Sequence, residues 1–255
     1  MLKVAIVAAL EREITGLTRT WNRVQQQYEA REYIFFQQDE MVAVAGGIGA
    51  DAARRAAEAV IALYDPALIL SVGFAGALDA SLRAGDVFTP SVVIDARDGS
   101  RSEIDGRDRH GVLVTFMAVA GAQQKAGLAQ AYGAQVVDME AAAVAAAARA
   151  HGIRFSTMKA ISDELGFEMP EMSRFIGPRG QFRTASFAAF VALRPWLWRR
   201  VAILAGNSRM AGKALAAHLE GFRQVLRQTS GQVSESNRIP VLESVPGTPA
   251  GVKRI

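Results

Sequence analysis

VVDMEAAAVAAAARAHGIRFSTMKAISDEL, residues Val136–Leu165, is the stretch whose reading decides the fold. Val136–Val137 and Phe155–Ile161 have the length and apolar content of short buried strands, and Met139–His151 between them is almost pure alanine at helical length. The unit reads as strand, helix, parallel strand. A helix so poor in polar residues must be covered over most of its surface, yet it opens with Asp138 and Glu140, and the strand after it closes on Asp163. In open α/β folds, ligands gather at such strand ends. A purely structural reading stands beside this one, with Asp138 as an N-cap, Glu140 as a first-turn acid favouring the helix dipole, and Asp163 as a cap for the next element.

The pattern DME-A-A-x-x-A, followed about twenty residues on by AISD, resembles the signature of the nucleoside phosphorylase and nucleosidase superfamily, especially its methylthioadenosine/S-adenosylhomocysteine nucleosidases. The resemblance implies an α/β fold: a single three-layer domain with a central mixed sheet flanked by helices, and a long C-terminal helical region. It places that domain at residues 1–228 and a C-terminal tail at 229–255. The implied activity is cleavage of the N-glycosidic bond of an adenine nucleoside, with release of adenine.

With half of its 255 residues hydrophobic, the chain supports one sizeable core. Zero cysteines exclude disulfides and thiolate metal ligands, and the three histidines, His110, His151 and His218, lack ligand spacing, so no metal site is expected. No apolar run reaches the roughly 18 residues of a membrane-spanning helix. The opening LKVAIVAAL runs into EREI without a cleavage site and reads as a first strand. The expected location is the cytoplasm, with membrane association as an addition. Beyond Phe175 there are 12 lysines and arginines against 3 acids, a balance of +9, which leaves 17 against 22, or −5, in the first 175 residues. The part that carries the motifs is acidic and the end is basic.

In chain order, Lys3–Ala8 reads as a buried strand and a helix begins near Glu11. KVAIVAALEREI resembles the nucleosidase opening, in which a glutamate at the third position of an acidic loop helps to activate the attacking water; that position is Glu13. Without the resemblance, Glu13 reads as a solvated residue on an amphipathic helix. Arg12 replaces an acid common in the family and is expected to pair locally or to face an anionic group. Glu32–Gln38 and Met41–Ala45 read as paired strands around the turn Asp39–Glu40. Gly47, Gly49 and Ala52 form G-x-G-x-x-A between a strand and a helix, a dinucleotide-binding pattern, but Leu68–Ser71 lacks the acid that the ribose of such a cofactor requires. The same glycines also permit tight turning and close helix packing.

Ala67–Gly73 is an apolar strand leading into SVGFAGALDASLRAGDVFTPSVV, which again resembles the superfamily in a glycine-rich turn and the following L-x-x-GD. Gly73 and Gly76 would let the backbone approach a ribose. The best-known bacterial phosphorylases carry an arginine where this chain has Ser71 and a serine where it has Phe74, so an evident phosphate grip is missing. Phe74, with Ala75 beside it, would instead cover the sugar's apolar face or the 5′ substituent. Asp95–His110 reads as an irregular loop over the site or at a subunit contact, Gly111–Ala120 as a strand, and Gln123–Tyr132 as a helix. Relatives hold the purine at the end of that strand; Val119 and Ala120 occupy the matching places and offer backbone groups rather than an aromatic face. Leu197 to Leu226 keep near-helical spacing after Pro195, predicting a long helix with a break near Gly206. Here the RP turn and the SR-x-A-x-x-ALA helix resemble the hopanoid-associated phosphorylase branch of the superfamily. Ser230–Ile255 has the Ser, Pro and Gly content of a disordered tail.

The resemblance assigns Asp163 as the general acid, oriented by Ser162, with its proton retained through burial or neighbouring acids. Glu140 would accept hydrogen bonds from the ribose hydroxyls, Met139 would pack on the sugar, and Glu13 would take a proton from water. No organic cofactor is implied; phosphate enters as co-substrate if the enzyme is a phosphorylase. Two substrates compete, methylthioadenosine or S-adenosylhomocysteine on one side and adenosylhopane on the other. A non-catalytic nucleotide-binding or lipid-surface module is the alternative of another class. The partners implied are a small adenine nucleoside, free or lipid-linked, a second copy in a homodimer, and peripheral contact with a membrane. The interface would use the alanine-rich helix and apolar residues near Phe74, and the membrane contact Trp196 and Trp198 beside Arg199 and Arg200.

Overall fold

The computed structural model describes residues 4–104, 109–168 and 171–236. The chain divides into two units, residues 1–220 and residues 221–255. Of the second unit, residues 221–236 are described and are helical.

In chain order the elements are β1 (Val4–Ala8), α1 (Glu11–Thr18), β2 (Asn22–Tyr28), β3 (Arg31–Gln38), β4 (Met41–Ala45), α2 (Ala50–Tyr64), β5 (Leu68–Ala77), β6 (Val87–Phe88), β7 (Val92–Asp95), β8 (Arg101–Glu103), β9 (Val112–Thr115), α3 (Ala122–Tyr132), β10 (Val136–Asp138), α4 (Ala141–Ala150) and β11 (Arg154–Asp163). A short 3-10 turn at Met172–Phe175, α5 (Thr184–Ala192) and α6 (Pro195–Ser236) follow. The strands join in one mixed sheet of order β2-β3-β4-β1-β5-β10-β9-β7-β8, with β11 on β5 and β6 on β11. Helices flank it, as expected of a nucleoside phosphorylase-like α/β fold.

β1 lies between β4 and β5, parallel to both, and is buried at every position, so its continuous VAIVA run needs no polar face. Ala5 and Val7 pack with Phe35, Val42 and Val44 against the small residues of α2, and Val144, Ala147 and Ala148 of α4 join the same core. α4 is buried at seven of its ten residues, which is why its sequence holds little but alanine. It therefore spends its apolar surface inside the chain, which corrects the expectation that it supplies an interface.

β5 is the long member at the centre. β11 runs parallel to it from Arg154↔Leu68 to Asp163↔Gly76, while β10 pairs antiparallel with its last residues, Val137↔Gly76 and Val136↔Ala77. Strand, helix, parallel strand is thus corrected: β10 and β11 run opposite ways along β5. The expected glycine-rich turn is likewise strand, because β5 continues through Phe74 to Ala77 on these partners. Asp95–His110 is not wholly irregular, since β8 pairs antiparallel with β7 over Val92–Ile94, and β9 stops at Thr115 rather than Ala120. β2, absent from the sequence reading, pairs along its whole length with β3. α6 runs unbroken through Gly206. One glycine costs a helix about 1 kcal/mol, and the fully buried Ala211, Leu215 and Leu219 on one side of α6 offset it. α6 also extends to Ser236, into the segment expected to be disordered; residues 237–255 lie outside the described residues.

Candidate active site

At the end of β10 the chain turns into α4 around two acids with different duties. Asp138 Oδ2 accepts the Ala141 N–H at 2.8 Å, and Thr115 Oγ1 donates to Asp138 Oδ1 at 2.6 Å while accepting the Ala142 N–H at 3.0 Å. Asp138 thus holds the first N–H of α4 from two residues before the N-cap, which is Glu140 and not Asp138 as the structural reading of the sequence had it. Glu140 is held elsewhere, its Oε1 accepting the Gly49 N–H at 2.8 Å. Gly49, at φ +96, precedes the first turn of α2. The G-x-G-x-x-A loop thus turns its backbone donor to a carboxylate within the chain.

Beneath these acids lies Lys159 of β11, 1 % exposed, with Nζ 2.9 Å from Asp138 Oδ2 and 3.2 Å from Ser71 Oγ. Burial works against its charge, but Asp138, Glu140 and Glu13 together raise its pKa. Glu140, driven by burial and then by the Asp138 charge, is pushed up to about 8 despite Lys159 and the Gly49 N–H. Glu13 is raised by burial, against the opposing pull of the Leu10 N–H, Lys159 and Arg12. Three carboxyls facing one ammonium cannot all ionise cheaply, and Glu140 retains the proton.

Glu13 sits in the first turn of α1 and reaches back, its Oε2 accepting the Ala9 and Leu10 N–H groups at 3.0 and 3.1 Å. The reach-back half of a capping box thereby fixes it facing inward, buried rather than solvated. It lies against Gly73, where a Cβ would stand 2.8 Å from Oε2. Asp163 lies against Gly76 in the same way, at 2.8 Å from Oδ2. The glycines therefore make room for carboxylates, a reason distinct from the ribose approach expected of them. Their separation of three residues along β5 is roughly 10 Å.

Between Ile161 and Asp163 the β11–β5 register shifts, so that Ser162 is extra. Bulges of this kind re-aim side chains, and both Ser162 and Asp163 line the cavity. Ser162 Oγ lies 2.9 Å from Asp163 Oδ1. Asp163 Oδ2 is 2.6 Å from Nζ of Lys125, an α3 side chain only 1 % exposed. The expected surroundings of Asp163, apolar burial or neighbouring acids, are corrected to an ion pair.

Glu13, Phe74, Ala75, Val119, Ala120, Met139, Glu140, Ser162 and Asp163 all line one cavity. Arg12 lines it too, and Leu204 and Ser208 of α6 close one side. None of the described residues of Asp95–His110 does. Sequence reasoning missed Lys125 and Lys159, whose only signal is a lone lysine within a strand of mixed composition or an unremarkable helix. Among the described residues, no group of His, Cys, Asp and Glu has the makings of a metal site, and no helix is long and apolar enough to cross a membrane.

The chain matches the family model described as the Phosphorylase superfamily over residues 3–124 and 107–190. No curated protein matches it. Among solved structures it is similar to Helicobacter pylori 5′-methylthioadenosine/S-adenosyl homocysteine nucleosidase complexed with a substituted pyrrolidin-3-ol, with TM-score 0.65 and 16% identity over 88% of this chain and 98% of that one. Futalosine hydrolase of Helicobacter pylori gives 0.63 and 16% over 86% and 96%. Arabidopsis thaliana 5′-methylthioadenosine nucleosidase in apo form gives 0.69 and 17% over 88% and 96%. At these identities the likeness is one of fold.

Proposed function

Because the chain belongs to the phosphorylase superfamily, whose members break glycosyl bonds, we propose that it cleaves the N-glycosidic bond of an adenine nucleoside with water, releasing adenine. The observation that carries this reading is the meeting of Glu13, Glu140 and Asp163, from three separate stretches of sequence, on one cavity. N-glycosidic cleavage makes two demands. The departing base must be protonated, and the positive charge growing on the sugar must be met by negative groups.

Asp163 hands a proton to the base, first taking it up from the solvent-open side on Oδ1, beside Ser162, while Oδ2 stays on Lys125. Glu13, a stronger base than an ordinary carboxylate because it is buried, takes a proton from the attacking water. Glu140, carrying a proton at neutral pH, both donates to and accepts from the ribose hydroxyls, a fuller pairing than acceptance alone. Met139 and Phe74 pack on the sugar and its 5′ substituent, and the backbone at Val119 and Ala120 faces the base. Methylthioadenosine and S-adenosylhomocysteine are the first substrates to try.

A second substrate is favoured by one observation. Leu193, Trp196 and Trp198 are exposed at 78, 71 and 56%, beside Arg199 and Arg200, and α6, which carries both tryptophans, also supplies Leu204 and Ser208 to the cavity wall. Aromatic and basic residues together suit an anionic bilayer surface, and so a lipid-linked adenine nucleoside such as adenosylhopane. The deciding experiment is a screen of adenine nucleosides for free adenine, with and without phosphate. Release from methylthioadenosine without phosphate supports the hydrolase, and release that depends on phosphate replaces it with a phosphorylase. No adenine from any of them overturns the reading.

A further inference from the structure

Arg12 stands in the first turn of α1, exposed, and lines the cavity together with Phe74, Leu204 and Ser208. The other basic residue of that lining, Lys125, is tied to Asp163, whereas among the described residues no carboxylate lies within ion-pair reach of Arg12. The local pairing open to it from sequence is therefore not made, and the neighbourhood explains why. Its helix neighbours three and four residues on are Thr15 and Gly16, neither of them charged. α6, which closes this side of the cavity, holds Arg199, Arg200, Arg209 and Lys213 and no acid between Pro195 and Leu219. A cation kept in basic company at the edge of a cavity favours an anion brought in from outside.

The place of Arg12 fixes which part of a substrate it can meet. α6 packs directly on Phe74 and on the backbone of Arg12: a Cβ on Gly212 would stand 3.7 Å from the Phe74 ring and 4.0 Å from the Arg12 carbonyl oxygen. Asp163, at the base, lies roughly 10 Å along β5 from the Glu13 end. Arg12 thus shares the end of the cavity assigned to the 5′ substituent. Resting on the nucleosidase reading, we propose that Arg12 is a specificity-determining residue for a negative charge on that substituent, so that the substrates are adenine nucleosides whose 5′ arm carries a carboxylate or a phosphate. The guanidinium presents a planar fork of donors that matches either group, and the Ser208 hydroxyl lies in the same wall.

The test compares 5′-deoxy-5′-(2-carboxyethylthio)adenosine with its primary amide, which has nearly the same shape and no charge. In wild type, kcat/KM for adenine release should favour the acid at least tenfold, the scale of a hydrogen-bonded charge. Arg12→Met, or Arg12→Gln if the first is insoluble, should bring that ratio close to one, and Arg12→Lys, which keeps the charge but not the fork, should leave it between the two. An effect passed through Glu13 or through folding alters both nucleosides alike and cancels in the ratio. Adenosine 5′-phosphate against adenosine is the second arm: a preference there that exceeds the carboxylate's and is lost in Arg12→Met assigns the site to phosphate esters. A wild-type ratio near one in both arms, or ratios that Arg12→Met leaves unchanged, overturns the role of Arg12 alone. So does adenine release that requires inorganic phosphate with a KM for phosphate raised in Arg12→Met, since the anion is then the co-substrate. A wild-type protein that releases adenine from none of these nucleosides or from methylthioadenosine overturns the nucleosidase reading and this inference with it.

Discussion

A carboxyl that keeps its proton at neutral pH makes stability depend on pH in a direction opposite to that of most acids. Glu140 is raised from an ordinary 4.5 to about 8, so the folded chain binds its proton more tightly than the unfolded chain does. Its contribution is fully present below about pH 4.5, declines as pH rises, and is gone above about pH 8. Glu13, also raised, acts in the same sense. Melting temperatures measured across this window should therefore fall more steeply for wild type than for Glu140→Gln, and parallel curves would remove Glu140 as the source. For turnover, Asp163→Asn should keep the fold and lower kcat by roughly 10²-fold or more, and Glu13→Gln should do likewise if water attacks. Steady-state assay of free adenine checks both, and wild-type-like rates would take either residue out of the chemistry. These three acids were legible in sequence because DME, AISD and the opening strand are contiguous patterns. Lys125 and Lys159 were not, since nothing local distinguishes a buried lysine from a solvated one until its partners, 38 and 21 residues away in the chain, are folded against it.

Elements carry the next level of dependence. Gly73→Ala and Gly76→Ala each place a methyl 2.8 Å from a carboxylate oxygen, and the carboxylates are tied at their other contacts. Each should cost about 1–3 kcal/mol by overpacking and reduce adenine release at least tenfold. Gly127→Ala in α3, where an added Cβ meets nothing within 4 Å, should instead gain about 0.5–1 kcal/mol with activity unchanged. Chemical denaturation alongside the adenine assay separates the two outcomes. The strands flanking the motifs were readable from apolar runs, and α2, α3 and α4 from spacing and composition. The direction of β10 was not, because it depends on β5 being long enough to pair with one strand along its length and with another at its end. β2 was missed for a related reason: NRVQQQY is a polar edge strand, defined by pairing with β3 rather than by burial.

At the scale of the whole molecule, the homodimer that the family resemblance implies should show about twice the chain mass in light scattering at micromolar concentration, and a monomer would count against it. If the substrate is lipid-linked, the protein should co-sediment with anionic vesicles at low salt, and Trp196→Ser with Trp198→Ser should abolish that while leaving soluble nucleoside cleavage within about twofold. Absence of binding in the wild type, with efficient cleavage of methylthioadenosine, would leave the soluble substrate alone. β5 sets one further condition. Glu13 and Asp163 each rest on a glycine of this strand, and a strand does not stretch, so the interval between them is gauged by a count of residues rather than by side-chain length. An insertion or deletion between Gly73 and Gly76 would take one of the two carboxylates off its glycine unless a bulge, like the one at Ser162, absorbed it.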